Sequence, residues 1–230
     1  MSVKRFTINT DGRDYVVGDI HGCYSKLKET LHQIQFEPSR DRLFSVGDLV
    51  DRGPENTAVH QWLSFPWFHP VMGNHDDMAR RWPKGNMELE TYRLNGGGWN
   101  IDQHKNEQIR TSDAMAGLSL AIEVETELGV VGIVHADVSH EKWEQFVAAL
   151  SGTLGEHEKR RARRAALYSR ERITSENRWG IQGVRAVVVG HTPVDKPVQL
   201  GNVYHIDTGA VFDRDFTILE LASLEPVYRR

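Results

Sequence analysis

The segment 45–54 places two aspartates and an arginine directly after a short apolar run. Residues 43–46 are typical of a buried strand. Gly47 follows them and lets the backbone turn sharply and approach a ligand closely, because glycine has no Cβ. Asp48 is therefore expected at the end of the strand, and Arg52 adds a planar fork of donors suited to phosphate. On its own, the segment is also compatible with an ordinary turn that contains an ion pair.

The same pattern recurs at two neighbouring strands. Residues 14–17 predict a strand that ends in Gly18-Asp19-Ile20-His21-Gly22, and residues 68–72 predict another that ends in Gly73-Asn74-His75-Asp76. Helices are predicted between the strands, so all three are expected to be parallel and to end at one edge of a sheet. Ligands bind outside that edge in such sheets. We therefore expect the polar side chains of the three turns to lie close together.

The rest of the chain predicts a second set of strands and several helices. Residues 120–125 and 130–134 indicate a hairpin that leads to His135, and residues 184–189 indicate a buried strand that leads to His191. Further strands are expected over residues 203–207 and 216–221. Helices are expected from about residue 24 and over residues 55–63, 76–81, 87–94, 114–118, 141–150 and 156–168, with a loop over residues 95–99. This order predicts an α/β fold with two layers of sheet and helices outside.

Six side chains at these strand ends are candidate metal ligands. They combine imidazole, carboxylate and amide oxygen, which suit manganese, iron or zinc better than calcium. Two ions sharing one aspartate would lie about 3.5–4 Å apart, where they could activate a water molecule and hold a phosphate during in-line displacement. We therefore expect a hydrolase site. The candidates are Asp19, His21 and Asp48 for one ion, and Asp48, Asn74, His135 and His191 for the other.

Composition limits the class of protein. A chain of 230 residues with 39% hydrophobic and 26% charged residues is long enough for one α/β domain, which we expect to span residues 1–230. The formal net charge of −4 argues against nucleic acid as a partner. A single cysteine, Cys23, fits a reducing compartment, and no apolar run of about eighteen residues occurs. We expect a cytoplasmic protein without a membrane partner, and a monomer.

The three turns, in this order and at these intervals, resemble the signature of the PPP-type metallophosphoesterases. Within that family, later segments are similar to the bacterial and bacteriophage serine/threonine protein phosphatases of the lambda phosphatase group. The resemblance runs from Gly18 to about Ala210 and implies the calcineurin-like metallophosphoesterase fold, a two-layer β-sandwich flanked by α-helices. The later segments are Val134-His135-Ala136-Asp137, Tyr168-Ser169-Arg170, Gly190-His191-Thr192-Pro193 and His205-Ile206-Asp207-Thr208-Gly209-Ala210.

The resemblance also implies roles for individual residues. The six candidate ligands match the family's site for two divalent metal ions, with manganese as the foremost expectation and iron or zinc as alternatives. His75 matches the general acid that protonates the leaving alkoxide, and Asp51 matches its hydrogen-bonding partner. Arg52 matches one phosphate clamp. Arg170 matches the second, and Arg172 is kept as an alternative.

The implied activity is hydrolysis of phosphoserine and phosphothreonine monoesters in phosphoprotein or phosphopeptide substrates, with phosphotyrosine as a further candidate. The implied mechanism is direct attack by a metal-bridging hydroxide, without a phosphoenzyme. A symmetrical dinucleoside tetraphosphate hydrolase is the alternative within the same superfamily, because it shares the three turns. A third interpretation is an inactive module that binds phosphorylated partners. Such a module would be expected to lack a ligand or the general acid, and none is missing from the sequence.

Several features stand outside this assignment. Asp76 replaces the family's usual glutamate and Tyr168 its usual tryptophan, which affects local packing more than activity. Trp99 follows three glycines and is expected in the core, with a place in the cleft as the alternative. The basic run 159–164 is expected to be a solvated helix face, with a docking or substrate-steering patch as the alternative. His205 is expected to support the site or to fill the core rather than to ligate metal.

Overall fold

Two β-sheets packed face to face form the centre of the fold. The computed structural model describes residues 2–227. Its strands are β1 (Val3–Phe6), β2 (Asp14–Val17), β3 (Arg42–Ser45), β4 (Phe68–Pro70), β5 (Ala121–Thr126), β6 (Gly129–Val134), β7 (Ala186–Val189), β8 (Val198–Leu200), β9 (Val203–His205), β10 (Ile218–Glu220) and β11 (Glu225–Pro226). One sheet has the strand order β1-β5-β6-β7-β9-β8 and the other β11-β10-β2-β3-β4.

Helices cover the outer faces of both sheets. They are α1 (Tyr24–Gln33), α2 (Val59–Trp62), α3 (Asn74–Arg81), α4 (Leu89–Tyr92), α5 (Gly98–Ile101), α6 (Lys105–Ala116), α7 (Trp143–Ser151), α8 (Glu156–Tyr168) and α9 (Glu171–Thr174). Within residues 2–227, no helix combines the length and the apolar character needed to cross a bilayer. The predicted two-layer sandwich with flanking helices is confirmed.

Parallel pairing brings the strand ends together. In the five-stranded sheet, β2, β3 and β4 are parallel neighbours, with Val16 opposite Phe44. The other sheet pairs β6, β7 and β9 in parallel, and β5 joins β6 as the antiparallel hairpin that the sequence predicts. The polar turns that follow these strands therefore emerge at the same edge of each sheet.

The strands are apolar on both faces because both faces are covered. Val16 and Phe44 point into the core between the two sheets. Tyr15, Val17 and Leu43 point to the opposite side and pack under the helices of the five-stranded sheet. Side chains alternate between the two faces of a strand, so a strand covered on both sides has apolar residues at successive positions.

Two helical segments differ from the sequence-based expectation. Residues 95–99 are not a loop: a π-helical turn (Arg93–Gly97) leads directly into α5. A Cβ on Gly97 would lie 2.2 Å from the Tyr92 ring, so that glycine serves close packing. Helix α6 is much longer than the predicted 114–118. The prediction was too short because most buried positions of the helix are polar, so the sequence shows little apolar periodicity there. Its buried residues are Gln108, Thr111, Ser112 and Met115.

The core between the sheets predicts a stability difference between two apolar positions. Phe44 is completely buried, whereas Leu128 in the β5–β6 turn is 70% exposed. We expect Phe44→Ala to lower the free energy of unfolding by about 3–5 kcal/mol, because it removes apolar contacts and leaves a cavity. The control Leu128→Ala should change the free energy by less than about 0.5 kcal/mol. Urea unfolding followed by circular dichroism measures both, and similar shifts for the two variants would contradict this account of the core.

Candidate metal centre and active site

The candidate ligands lie where the carboxyl ends of the two sheets meet. His135 Nδ1 donates to the carbonyl oxygen of Val46 at 2.9 Å, which links the end of β6 to the end of β3. The ligand-bearing turns follow β2, β3, β4, β6 and β7, and they carry Asp19 with His21, Asp48, Asn74, His135 and His191, respectively.

Backbone strain is concentrated at this meeting point. Nine non-glycine residues within residues 2–227 have positive φ, and five of them belong to the candidate site. This conformation is unfavourable for residues with a Cβ and persists only where the surrounding structure enforces it. The five are His21 (45°), Asp48 (49°), Asp51 (72°), Arg52 (68°) and His191 (69°).

Two glycines let carboxylates come close to the backbone. A Cβ on Gly73 would lie 2.0 Å from Asp48 Oδ1, and a Cβ on Gly190 would lie 2.0 Å from Asp19 Oδ1. Neither position can hold a side chain without moving a candidate ligand. These two glycines are therefore required by the close approach of a carboxylate.

His135 brings four ligand-type groups together. Its Nδ1 donates to Val46, so its Nε2 carries the lone pair. That nitrogen lies 2.9 Å from Asn74 Oδ1, 3.2 Å from His191 Nδ1 and 3.4 Å from Asp48 Oδ1. Such a convergence of buried lone pairs is unfavourable unless a cation or a proton compensates it.

A second group of donors lies on the other side of Asp48. His21 Nδ1 donates to the carbonyl oxygen of Val50 at 3.0 Å, so its Nε2 carries the lone pair. That nitrogen lies 2.9 Å from the Arg52 guanidinium and 3.5 Å from Asp48 Oδ2. Both oxygens of Asp19 accept the backbone N–H of His191 at 3.1 Å. Asp19 Oδ1 also lies 4.0 Å from His135 Nδ1. Asp48 therefore presents Oδ2 to His21 and Oδ1 to His135.

The imidazoles are held in the form that binds metal. Burial lowers the pKa of His21 and of His191 to about 3. Burial also lowers the pKa of His135. All three rings are therefore neutral at physiological pH, as a metal ligand must be.

Three carboxylates are buried together beside these rings. Burial raises the pKa of Asp19, and the negative charges of Asp207 and Asp48 raise it further. Burial by itself would also raise the pKa of Asp48, but the surrounding histidines hold it below its usual range. The carboxylates repel one another, and bound cations would relieve that repulsion. The donor set fits two divalent ions that prefer nitrogen and oxygen ligands, with Asp48 shared between them.

A buried histidine–aspartate pair adjoins the ligands. His75 Nδ1 donates to Asp51 Oδ2 at 2.9 Å, and His75 Nε2 lies 3.9 Å from Asp48 Oδ2. Burial opposes protonation of His75, but the charges of Asp48 and Asp51 outweigh it and raise the pKa of the ring. The pair can hold a proton at Nε2, on the side of the candidate ligands.

Asp51 also accepts a hydrogen bond that the sequence did not indicate. Trp99 Nε1 donates to Asp51 Oδ1 at 2.8 Å, and the Tyr92 hydroxyl lies 3.5 Å from the same oxygen. A Cβ on Gly96 would lie 2.6 Å from the backbone nitrogen of Arg52, so this glycine lets the two segments touch. The glycines before Trp99 were the only signal of this contact in the sequence.

Two of the three candidate arginines lie near candidate ligands. Arg52 Nη1 is 2.9 Å from His21 Nε2. Arg170 lines a cleft of about 660 Å³ together with Asn74 and His191. Arg52 therefore contacts one candidate ligand, and Arg170 shares a cleft with two others.

Arg172 belongs to the fold instead. It is buried, and its guanidinium donates to Asp137 Oδ1 at 3.0 Å. It also donates to the carbonyl oxygens of Asn177 and Trp179 at 3.3 and 2.8 Å. With its donors engaged in this way, Arg172 is the weaker of the two candidates for the second phosphate clamp, and Arg170 is preferred.

The two departures from the resemblance are accommodated locally. The Asp76 carboxylate accepts the backbone N–H groups of Leu49 at 2.9 Å and Gly73 at 2.8 Å, so the shorter side chain still joins the second and third turns. The Tyr168 hydroxyl lies 3.4 Å from Asp77 Oδ2, and its ring lines the cleft. Neither substitution removes a candidate ligand.

Comparison with known proteins decides the family. Residues 15–195 match the family described as calcineurin-like phosphoesterase. The chain belongs to this family. It is 34% identical over 213 residues to serine/threonine-protein phosphatase 1 of Salmonella typhimurium, covering 90% of this chain and 91% of that protein. It is 29% identical over 160 residues to the symmetrical bis(5'-nucleosyl)-tetraphosphatase of Serratia proteamaculans, covering 61% and 55%.

Among solved structures, the fold is similar to that of a candidate diadenosine tetraphosphatase. The TM-score is 0.68 at 20% identity, and the match covers 97% of this chain and 96% of the other. At this identity the likeness supports the calcineurin-like phosphoesterase fold and does not distinguish between substrates.

The position of Asp48 between the two groups of donors predicts a joint effect on metal binding. We expect Asp48→Asn to weaken the binding of both ions together. The loss of affinity for each ion should exceed about 10–100-fold, which is typical when only a hydrogen-bonding partner of a metal ligand is removed. The exposed Asp195→Asn is the control, since its side chain is 93% exposed. Metal analysis after dialysis measures the content, and loss of one ion with full retention of the other would contradict a shared ligand.

The different surroundings of Arg170 and Arg172 predict different effects when each is replaced by alanine. Arg172→Ala should lower the free energy of unfolding by about 3–5 kcal/mol, because it leaves Asp137 buried without its partner. Arg170→Ala should change it by less than about 0.5 kcal/mol while weakening inhibition by inorganic phosphate. Urea unfolding and phosphate inhibition test both variants. The reverse result would make Arg172 the phosphate ligand.

Proposed function

We propose that this protein is a metal-dependent phosphoprotein phosphatase that hydrolyses phosphoserine and phosphothreonine, with phosphotyrosine as a further substrate. The observation that carries the proposal is the similarity to the Salmonella serine/threonine-protein phosphatase over nine tenths of both chains. The convergence of the candidate ligands beside the His75–Asp51 pair supports it.

The chain's own side chains supply binding and proton transfer in this proposal. Arg52 and Arg170 bind the phosphate oxygens and orient the ester. His75 gives a proton to the leaving alkoxide oxygen, and Asp51 holds the ring so that Nε2 faces Asp48. A general acid of this kind typically contributes about 10²–10⁴-fold to the rate.

Two divalent ions would be held by the six candidate ligands, with Asp48 shared. We propose manganese, with iron or zinc as alternatives, because the donors are imidazole, carboxylate and amide oxygen. When bound, the ions would lower the pKa of a water molecule and neutralise charge on the phosphate.

The proposal also covers the cellular location and the oligomeric state of the protein. The single cysteine fits a reducing compartment, which supports a cytoplasmic location. We also propose that the chain acts as one domain and as a monomer, with phosphoproteins as its partners and without nucleic acid.

A symmetrical dinucleoside tetraphosphate hydrolase is the second candidate. The similarity to the Serratia tetraphosphatase favours it, but that similarity covers only 61% of this chain. The deciding experiment compares hydrolysis of a phosphoserine peptide and of diadenosine tetraphosphate by the manganese-loaded enzyme, with a chelator control. We expect the peptide to have the higher kcat/KM. A wide margin for the dinucleotide would replace the proposed function.

The assignment of His75 predicts a dependence on the leaving group. We expect His75→Asn to lower kcat by about 10²–10⁴-fold on phenyl phosphate, whose leaving group needs a proton, and much less on a substrate with a good leaving group such as p-nitrophenyl phosphate. Metal content should stay nearly intact. Equal losses on both substrates would contradict the general-acid role.

A further inference from the structure

A second cavity of about 970 Å³ adjoins the candidate cleft. Tyr168 and Arg170 line both cavities and therefore form a boundary that the two share. The second cavity is also lined by α8 and by parts of segments 137–141 and 177–181. We call it the α8 groove. A substrate whose phosphate lies near Arg170 would have adjacent parts within reach of it.

The basic run 159–164 divides into two sets in the structure. Lys159 is paired with Glu156 at 3.3 Å, and Arg163 is paired with Asp77 at 2.7 Å. Neither of these basic residues lines the α8 groove. Their charges are compensated by these acidic partners.

The remaining arginines of the run line the α8 groove. Arg161 is paired with Glu158 at 3.4 Å. Arg160 and Arg164 are exposed and form no ion pair with any residue in the described part of the chain. They lie four residues apart on one helix, where like charges repel each other. An anionic ligand in the groove would relieve this repulsion.

The charge of the α8 groove is opposite in sign to that of the whole chain. Three arginines that form no ion pair within the described residues line it, namely Arg160, Arg164 and Arg170. Arg161 and Arg172 also line it and are paired with Glu158 and Asp137. Two glutamates, Glu141 and Glu171, also belong to the lining. The groove therefore carries more positive than negative charge, although the chain has a net charge of −4. Trp179, which is 84% exposed, adds an apolar surface to the same groove.

We propose that the α8 groove binds acidic side chains next to the phosphorylated residue of a protein substrate. The proposal rests on the proposed phosphatase function and names its preferred substrate class, an acidic phosphopeptide. Extended peptide advances about 3.3 Å per residue, so a few residues of chain connect the cleft to the groove. Arg160 and Arg164 would then determine specificity without touching the reacting phosphate.

The test compares phosphoserine peptides of equal length that carry either three glutamates or three glutamines on one side of the phosphoserine, with each side tried in turn. We expect the wild type to prefer one of the glutamate peptides by about tenfold in kcat/KM at low salt, as two exposed charge contacts would give. The preference should decrease as salt is raised. Arg160→Gln/Arg164→Gln should abolish it.

The matched control is Lys28→Gln/Arg40→Gln, which removes the same charge from exposed positions outside the groove. It should keep the preference. Equal hydrolysis of glutamate and glutamine peptides by the wild type, or equal losses in both double variants, overturns the proposal while leaving the phosphatase function intact. If neither peptide is hydrolysed but diadenosine tetraphosphate is, the proposed function has failed as well. A larger effect of Arg160→Gln/Arg164→Gln on the dinucleotide than on the acidic peptide also overturns it.

The carboxylate of the His75–Asp51 pair also has a hydrogen-bond partner on its other side. The Asp51 carboxylate is fully buried, and each of its oxygens has one short hydrogen bond: Oδ2 with His75 at 2.9 Å and Oδ1 with Trp99 at 2.8 Å. Behind Trp99, Asn100 donates to the Tyr92 hydroxyl at 3.1 Å, which places a further polar group near the same oxygen.

We infer that Trp99 is a positioning residue for His75 and acts through Asp51. Its N–H fixes the rotation of the carboxylate and so fixes the direction of the His75 ring. Loss of this N–H leaves a buried carboxylate oxygen with one partner fewer, which allows the carboxylate to rotate. This inference also rests on the proposed function, because it assigns a purpose to the orientation of the general acid.

Trp99→Phe removes the N–H and keeps an aromatic ring. The matched control is Trp82→Phe, since Trp82 Nε1 is buried and has no hydrogen-bond partner among residues 2–227. We expect Trp99→Phe to lower kcat about tenfold on phenyl phosphate and less on p-nitrophenyl phosphate, with unchanged metal content. Trp82→Phe should have neither effect. Equal losses on both substrates, or equal behaviour of the two variants, would overturn the inference. If His75→Asn instead lost activity equally on both substrates, the general-acid role in the proposed function would be contradicted.

Discussion

The structure depends on one buried carboxylate that serves two groups of donors. Asp48 has 2% of its surface exposed, and its Oδ1 accepts the backbone N–H of His75 at 2.9 Å. The same side chain lies within 3.5 Å of His21 and His135, which come from different sheets. A buried charge is costly unless it is compensated, so both sheets must end where their side chains can surround it. The face-to-face packing of the sheets meets this requirement.

The apolar layers compensate for the strain at the site. The turns that hold His21, Asp48 and His191 have left-handed backbone, which is unfavourable for residues with a Cβ. Beneath them, strands buried on both faces form one core between the sheets and further cores under the helices. These strands hold the turns in place, and the candidate ligands lie at the strand ends. The same division separates Arg172, which stabilises the fold, from Arg170, which lines the cleft.

Much of the arrangement could be predicted from the sequence because it is local. Each candidate ligand follows an apolar run, and all of them except His135 stand beside a glycine. Parallel pairing then carries the turns to one edge. The fold and the family agree with that prediction. The assignment of individual ligands and of His75 remains a prediction, although the structure brings these side chains together. Helix α6 was predicted too short because its buried positions are largely polar, and polar residues give no apolar periodicity.

The sequence by itself determined the strands that carry the candidate ligands, the turns that follow them and the chemical types of the donors, because each depends on a few neighbouring residues. Only the tertiary structure decided that Trp99 meets Asp51 across 48 residues of sequence, and that Arg160 and Arg164 line a groove while Arg163 is paired with Asp77. These contacts depend on how separate elements pack. Packing follows the whole set of buried surfaces, which no short segment of the chain contains.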